Sequence, residues 1–402
     1  MIYLDNAATT RLREEVLDAM MPWMTANYGN PSSIYKMSRE ARIAIDNARD
    51  KIAELLGASG KEIYFTSGGT ESDNWAISSQ LTVDSSQKKH IITSQIEHHA
   101  VLHACQALEK QGHEVTYLPA DEHAMINPKD LRAAMKENTA LVSIMHANNE
   151  VGTIAPIKAL AAIAHDHGAL FHTDAVQTTG HIALNVEELG IDLLSISAHK
   201  FGGPKGVGAL YIRKGTKVSS FIQGGAQEKN MRAGTENVAG IVGMCKALEL
   251  AVGGAVPGAP LHGKISPTSV GDNAHIVPSN QIQLRDYAIN RILTEIPNTT
   301  LYGHPTERLP NNINIGFEYI EGESLLLMLD AKGICASSGS ACTSGALDPS
   351  HVLLAMGVPH EKAHGSLRLT LGLDTTKADI DYVIDELKPI VARLRAMSPL
   401  GH

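Results

Sequence analysis

The chain has 402 residues, 43% of them hydrophobic and 19% charged, with a formal net charge of −9. That length exceeds one ordinary core and predicts two domains, and the composition is that of a soluble globular protein. An acidic balance with no basic stripe argues against nucleic acid or an anionic membrane as partner, and no apolar run reaches the roughly 18 residues of a membrane span. The first residues, Met1-Ile2-Tyr3-Leu4-Asp5-Asn6, carry no basic segment ahead of an apolar one, so no signal peptide is expected. The four cysteines, Cys105, Cys245, Cys335 and Cys342, form no CxxC pair. A reducing, cytoplasmic setting is expected.

In chain order, Ile2 to Leu4 reads as a short strand ended by a fixed polar loop, Asp5 to Thr10. Leu12 to Thr25 has helical spacing. Ser33 is expected to cap a helix through Leu56, which Gly57 ends. The pattern then repeats. Strands are predicted at Ile63 to Thr66, His90 to Thr93, Val115 to Leu118, Ala140 to Met145, Ala169 to Thr173, Ile191 to Ile196 and Val207 to Ile212. Helices are expected from Thr70, His98, Pro128 and Pro156, the last with proline at its first position. Strands alternating with helices predict an α/β fold whose large domain holds a mostly parallel sheet between helices.

A long helix is expected from Glu236 to Leu250. Residues 253–280 then break the composition with recurring Gly, Pro and Ser, and read as an insertion or linker. Beyond it, helices at Gln283 to Ile296, Gly322 to Ala331, Pro349 to Met356 and Thr376 to Met397, with strands at Asn311 to Phe317 and Leu367 to Leu371, predict a smaller α+β domain. The expected division is residues 1–15 joining the small domain, 16–252 the large domain, 253–280 the linker and 281–402 the small domain.

Ligands of open α/β sheets sit beyond the carboxyl ends of the strands. Five predicted strands end there in polar clusters: Ser67-Gly68-Gly69-Thr70, Glu97-His98-His99, His146 to Glu150, Asp174 to Gln177 and Ser197-Ala198-His199-Lys200. Loops are polar anyway, but two glycine-rich turns and a lysine among them ask for more. Ser67 to Thr70, between a strand and a helix, is either a plain glycine turn with a threonine cap or a phosphate cradle, because free N–H groups and the helix dipole favour an anion. Ser197 and His199 are candidate donors to the same anion. Lys200 is either a solvated cap or, if desolvated, a nucleophilic amine suited to a Schiff base. Asp174 needs a cationic partner if buried, such as a protonated ring nitrogen. Gln177 is placed to donate to a neighbouring oxygen, and His98 to stack on an aromatic ring. The run Glu97 to His103 lacks metal-ligand spacing, so no metal is expected in the resting protein.

Phosphate cradle, carboxylate, histidine and lysine together describe a pyridoxal phosphate site. The sequence closely resembles the cysteine desulfurases of the NifS/IscS type, within the aminotransferase class V, fold-type I pyridoxal phosphate enzymes. The resemblance runs through Tyr3 to Thr10, Gly29 to Ser33, Thr70 to Asn74, His146 to Gly152, Asp174 to Gln177, Ser197 to Gly206, Arg232 to Thr235 and Ser337 to Ser344. It implies that Lys200 holds the cofactor covalently, Asp174 pairs with its ring nitrogen, Gln177 bonds its 3′-oxygen and His98 stacks on the ring. Gly69, Thr70, Ser197 and His199 would hold the phosphate, joined by Thr235 across a homodimer. Asn149 and Arg368 would bind the substrate, and His98 would move protons at its sulfur. Cys342, in a loop of small residues, would be the nucleophile that takes sulfur from L-cysteine and passes it to an acceptor such as an iron–sulfur scaffold protein. Selenocysteine lyase, cysteine-sulfinate desulfinase, a weakly active sulfur-scaffold component and a plain aminotransferase are the alternatives. One stretch departs from the family: 253–280 is Pro/Gly-rich where a charged helix is usual.

Overall fold

The computed structural model describes residues 1–82, 88–253, 279–338 and 349–398. The composition break at 253–280 therefore lies almost wholly outside the described residues. Only its ends are seen, where helices run to Gly253 and start at Ser279. Cys342 also lies outside them.

Among the described residues the strands are β1 Ile2–Tyr3, β2 Ile63–Thr66, β3 His90–Ser94, β4 Glu114–Leu118, β5 Thr139–Ser143, β6 Leu170–Asp174, β7 Leu193–Ser197, β8 Gly208–Ile212, β9 Thr299–Leu301, β10 Asn312–Phe317, β11 Ile334–Cys335 and β12 Ser366–Thr370. The large sheet has the order β2-β8-β7-β6-β5-β3-β4. Its strands pair in parallel from β4 across to β7. β8 is antiparallel to both of its neighbours, β2 and β7, so β2 points the same way as the parallel set. The carboxyl ends of β2, β3, β5, β6 and β7 thus open on one edge, as the polar strand ends predict.

Successive strand residues feed opposite cores, as a pleated sheet covered on both faces requires. Leu194, Ile92, Val142 and Tyr211 enter the larger cluster, while their neighbours Leu193, Ile91, Leu141 and Leu210 enter the other. Helices Gly69–Thr82 and His99–Lys110 cover the second face. Helices Glu14–Met24 and Lys36–Leu56 pack on Val238–Gly253 over the first. The helix expected from Ser33 starts instead at Lys36, with Tyr35 at the cap position and no side-chain cap; Ser33 belongs to the preceding turn, where its N–H bonds the Asn30 carbonyl (3.0 Å).

A separate antiparallel sheet, β12-β10-β9, and the parallel pair β1-β11 form the remaining layer. Its core joins Leu4 to Ile313, Ile315, Leu367, Leu369, Val383 and Leu387. The chain does not stay in this layer from 281 onward. Val352, Leu353, Met356 and Ala363, on and beside helices His351–Ala355 and His360–Ala363, pack in the larger cluster of the main sheet.

Candidate active site

The shared edge gathers most of the residues singled out by sequence. Lys200 ends a short 3-10 turn, Ala198–Lys200, directly after β7. It is half-buried rather than fully buried. Its Nζ donates to the carbonyls of Ala7 (2.5 Å) and Ala8 (2.9 Å). Gln177 Nε2 donates to the same Ala7 carbonyl at 2.9 Å. The polar loop after β1 is thereby laid across the ends of β6 and β7. Thr10 Oγ1 bonds the His199 carbonyl (2.8 Å), and the His199 ring meets Thr9 Oγ1 at 3.1 Å.

Asp174, the last residue of β6, is buried, and its Oδ1 accepts from the Val176 N–H at 2.9 Å. Burial lifts its pKa to about 6 against the opposing pull of that N–H and of the Lys200 charge. Behind it lies Asp73, also buried, with His172 Nε2 3.7 Å from its Oδ1. Asp73 is raised well above the usual carboxylate range, chiefly by burial and then by Asp174. Two such carboxyls in one dry space do not both ionise, and Asp174, with the lysine and a backbone donor, is the one that keeps the charge.

The Gly turn after β2 leads straight into helix Gly69–Thr82, whose first-turn N–H groups have no intrahelical acceptor. The approach is close. A Cβ on Gly69 would stand 2.7 Å from Val176 Cγ2 and 3.7 Å from Ser197 Cβ. A Cβ on Gly208 would stand 2.5 Å from the Ile196 carbonyl oxygen and 2.7 Å from Gly68 Cα. Thr70 is exposed at this end and Ser197 is buried beside it. Arg232 reaches the same turn through a bidentate pair with Glu71 (2.8 and 3.0 Å), and Glu71 also accepts from the Ser67 N–H. This holds the segment Arg232 to Thr235 beside the turn, with Thr235 exposed.

His98 caps helix His99–Lys110, and its Nδ1 accepts from the Ala100 N–H at 3.1 Å. The neutral ring therefore carries its proton on Nε2. Burial, followed by the Lys200 charge, drives its pKa down to about 4. Arg368 on β12 is almost fully buried. Its Nη1 donates to the Asn149 carbonyl and its Nη2 to Asp5 Oδ1, each at 2.9 Å, while Nε is buried with no hydrogen-bond partner among the described residues. Cys105 and Cys245 are buried thiols pushed up to about 12 by burial, unlike a reactive cysteine.

The donor set suits an anionic, phosphorylated pyridine aldehyde: a helix N-terminus for the anion, a buried carboxylate for a ring cation and a lysine amine between them. Sequence reasoning did not find the carbonyls of Ala7 and Ala8, Asp5, Asp73 or Glu150. Glu150 stood in the polar strand end His146 to Glu150, but nothing local to it pointed to its partner, Ser350.

The family model for aminotransferase class-V matches residues 2–255 and 273–383. A cysteine desulfurase IscS of Methanosarcina thermophila is 56% identical over 401 residues, covering 99% of this chain and 94% of that protein. A solved NifS-like protein superposes with a TM-score of 0.86 at 36% identity, covering 98% of this chain and all of the other. The solved structure of SspA in complex with cysteine gives a TM-score of 0.78 at 33% identity over 92% of this chain and 99% of its own. Together with the lysine, carboxylate and helix end on one sheet edge, these matches show that the chain belongs to the aminotransferase class-V family, among its cysteine desulfurases.

Proposed function

We propose that the chain is a pyridoxal-phosphate-dependent cysteine desulfurase that converts L-cysteine to L-alanine, holds the sulfur as a persulfide on Cys342 and hands it to an iron–sulfur scaffold or another acceptor protein. The observation that carries the reading is the meeting of Lys200 and Gln177 on the Ala7 carbonyl beside buried Asp174, in a chain whose relatives bear this name. The alternatives open at the level of sequence have no comparable support.

In this reading Lys200 would hold the cofactor covalently, Asp174 would pair with its ring nitrogen, Gln177 with its 3′-oxygen and His98 with the ring face. The N–H groups of Gly69 and Thr70, with Ser197 and His199, would hold the phosphate, and Thr235 would reach the partner subunit's phosphate. Pyridoxal phosphate, when bound, supplies an electron-withdrawing ring that acidifies the Cα–H of an attached amino acid and draws on its Cβ–S bond. The Lys200 amine moves the Cα proton. Asn149 and the Arg368 guanidinium bind the substrate carboxylate. The Nε2–H of His98 serves the proton traffic at the substrate sulfur. The Cys342 thiolate forms an S–S bond as the Cβ–S bond breaks, the electron pair stays with the three-carbon fragment, and a proton completes alanine.

The homodimer has support in an exposed apolar face made by Leu17, Met21, Met24, Ile34, Tyr35 and Ile43. Among the described residues no helix is long and apolar enough to cross a membrane, and the acidic chain with unpaired cysteines suits the cytoplasm. The division into a large domain of residues 16–252 and a small one of 1–15 with 281–402 belongs to the same reading, with helices His351–Ala355 and His360–Ala363 crossing back onto the large sheet's core.

Purified protein given L-cysteine and a dithiol reductant, which supplies the two electrons that release the persulfide sulfur, is expected to form alanine and sulfide in equal amounts. Cys342→Ala should keep the yellow cofactor and lose both products, and Lys200→Ala should lose the borohydride-reducible chromophore. Wild-type desulfuration by Cys342→Ala would remove that residue as nucleophile, and an unchanged chromophore in Lys200→Ala would remove the lysine as anchor.

A further inference from the structure

The face of the large sheet that helix Gly69–Thr82 covers is mostly apolar, and Leu141 and Leu193 share one cluster there with Trp75 and Ile77 of the helix. The same face carries a polar island of Ser143, His172, Asp174 and Ser195. Ser143 is the register partner of His172, and Ser195 that of Asp174. His172 and Asp174 are two apart on β6 and so share a side. All four are buried, and so is Asp73, which the helix sets over them.

His172 links the two serines. Its Nδ1 lies 2.8 Å from Ser143 Oγ and its Nε2 3.0 Å from Ser195 Oγ. The Ser195 hydroxyl also bonds the Asp73 carboxyl, and His172 Nε2 stands 3.7 Å from Asp73 Oδ1. A buried chain thus runs Asp73, Ser195, His172, Ser143, alongside Asp174.

Asp73 is poorly supplied for a charge. Its Oδ1 has no hydrogen-bond partner among the described residues. His172 offers no cation, because burial takes its pKa down to about 3. Asp174 and Glu97, the acids that face Asp73 from β6 and from beyond β3, both oppose its ionisation. The Lys200 charge and the Val176 N–H favour a charge on Asp174 instead. A buried carboxylate so placed is costly, whereas a protonated carboxyl needs only an acceptor for its O–H.

We propose that Asp73 carries the proton of the Asp73–Asp174 pair, donates its O–H to Ser195, and so leaves Asp174 as the charged acid beneath the cofactor ring. The inference rests on the pyridoxal phosphate reading and deepens it. Asp73 is a positioning residue that acts through Asp174. The chain then has a direction: Ser195 donates to His172 Nε2, and the His172 proton sits on Nδ1 and goes to Ser143. Ionising Asp73 reverses it, since Ser195 then donates to Asp73 and the His172 proton moves to Nε2. The His172 tautomer therefore reports the protonation of Asp73.

Nitrogen NMR of the full chain with ring-labelled histidine, His172 being assigned by its absence in His172→Gln, reads that tautomer. Wild type is expected to show the Nδ1–H form at neutral pH and to pass to Nε2–H as pH rises. Asp73→Asn, which cannot ionise, should show no such passage, and Asp174→Asn should move it down by about one pH unit. If His172→Gln does not fold, infrared spectroscopy decides. In a Glu97→Gln background, a protonated-carboxyl band present at neutral pH should vanish with Asp73→Asn. Affinity for pyridoxal phosphate at neutral pH should stay within about twofold of wild type in Asp73→Asn, where one neutral group replaces another, and fall roughly tenfold or more in Asp174→Asn. An Nε2–H tautomer in wild type at neutral pH, an unchanged carboxyl band in Asp73→Asn, or a tenfold loss of cofactor affinity in that variant would mean a charged Asp73 and overturn the proposal. A wild-type protein that binds no pyridoxal phosphate overturns the cofactor reading instead, whatever the tautomer.

Discussion

Glu97 and His98 are neighbours in the chain, and burial drives their charges off in opposite ways. His98 is pulled down to about 4, so its ring stays neutral at physiological pH and acts as a hydrogen-bond donor through Nε2. Glu97 is pushed up to about 8, chiefly by burial, against its bonds from Ser94 and the Met145 N–H. Unfolded, a glutamate titrates near its ordinary value of 4.5. Between those two values the folded protein holds a proton that the unfolded chain has lost. The contribution is therefore present below the lower value and fades as pH rises through the window, at about 1.4 kcal/mol per pH unit. Glu97→Gln is expected to remove this fall, gaining on wild type from pH 5.5 to 8.5 in urea unfolding of the loaded enzyme. Parallel curves for the two proteins would exclude a protonated Glu97. At this scale the sequence was legible where a residue's meaning is local: a lysine, an aspartate or a glycine pair just past an apolar run announces itself. Glu150 was not, because its partner Ser350 lies 200 positions away.

Among elements, strand runs were easier to read than strand directions. The runs that became β7 and β8 were visible, yet their antiparallel pairing was not called. The signal was there, since the link from Ser197 to Gly208 is too short for the crossover that a parallel pair needs. β9 and β11 span only three and two residues, below the length at which an alternating pattern can be recognised. The loop after β5 is also held by something no pattern shows. Arg308 is fully buried, and its guanidinium donates to the carbonyls of Val151 (3.1 Å), Tyr302 (3.3 Å) and His304 (3.3 Å). Burial, with Arg285 nearby, lowers its pKa to about 9. Its long side chain spans from β9 to the loop that carries Asn149. Arg308→Ala would leave a cavity and three carbonyls without this donor, for an expected loss of about 3 kcal/mol or more. KM for L-cysteine should rise with it, because Asn149 loses its support. A urea-unfolding loss below about 1 kcal/mol would show that water or neighbouring N–H groups already satisfy those carbonyls.

For the molecule as a whole, the apolar face on residues 17–43 is the feature a single chain leaves unexplained. Leu17, Met21 and Met24 project from helix Glu14–Met24, whose adjoining side buries Val16 and Met20. Ile34 is 90% exposed and Ile43 57% exposed on the following turn and helix. Scattered exposed apolar residues are ordinary, but so many from consecutive elements are not. Thr235 is exposed as well, although Arg232 and Glu71 fix its segment beside the Gly turn. An exposed threonine held there fits a role across a two-fold interface, where each copy would complete the other's phosphate site. Ile43→Asp combined with Met24→Glu sets charges on that face without touching a site residue. The double variant is expected to sediment as a monomer and to lose cofactor affinity and desulfuration together. Mixing two inactive proteins tests the same point from the other side. Lys200→Ala and Thr235→Ala subunits, unfolded and refolded together, should regain activity in mixed dimers. There the intact Lys200 stands in the subunit that receives its partner's intact Thr235. A monomeric double variant with full activity, or mixed dimers no better than their parents, would place Thr235 outside the partner's site.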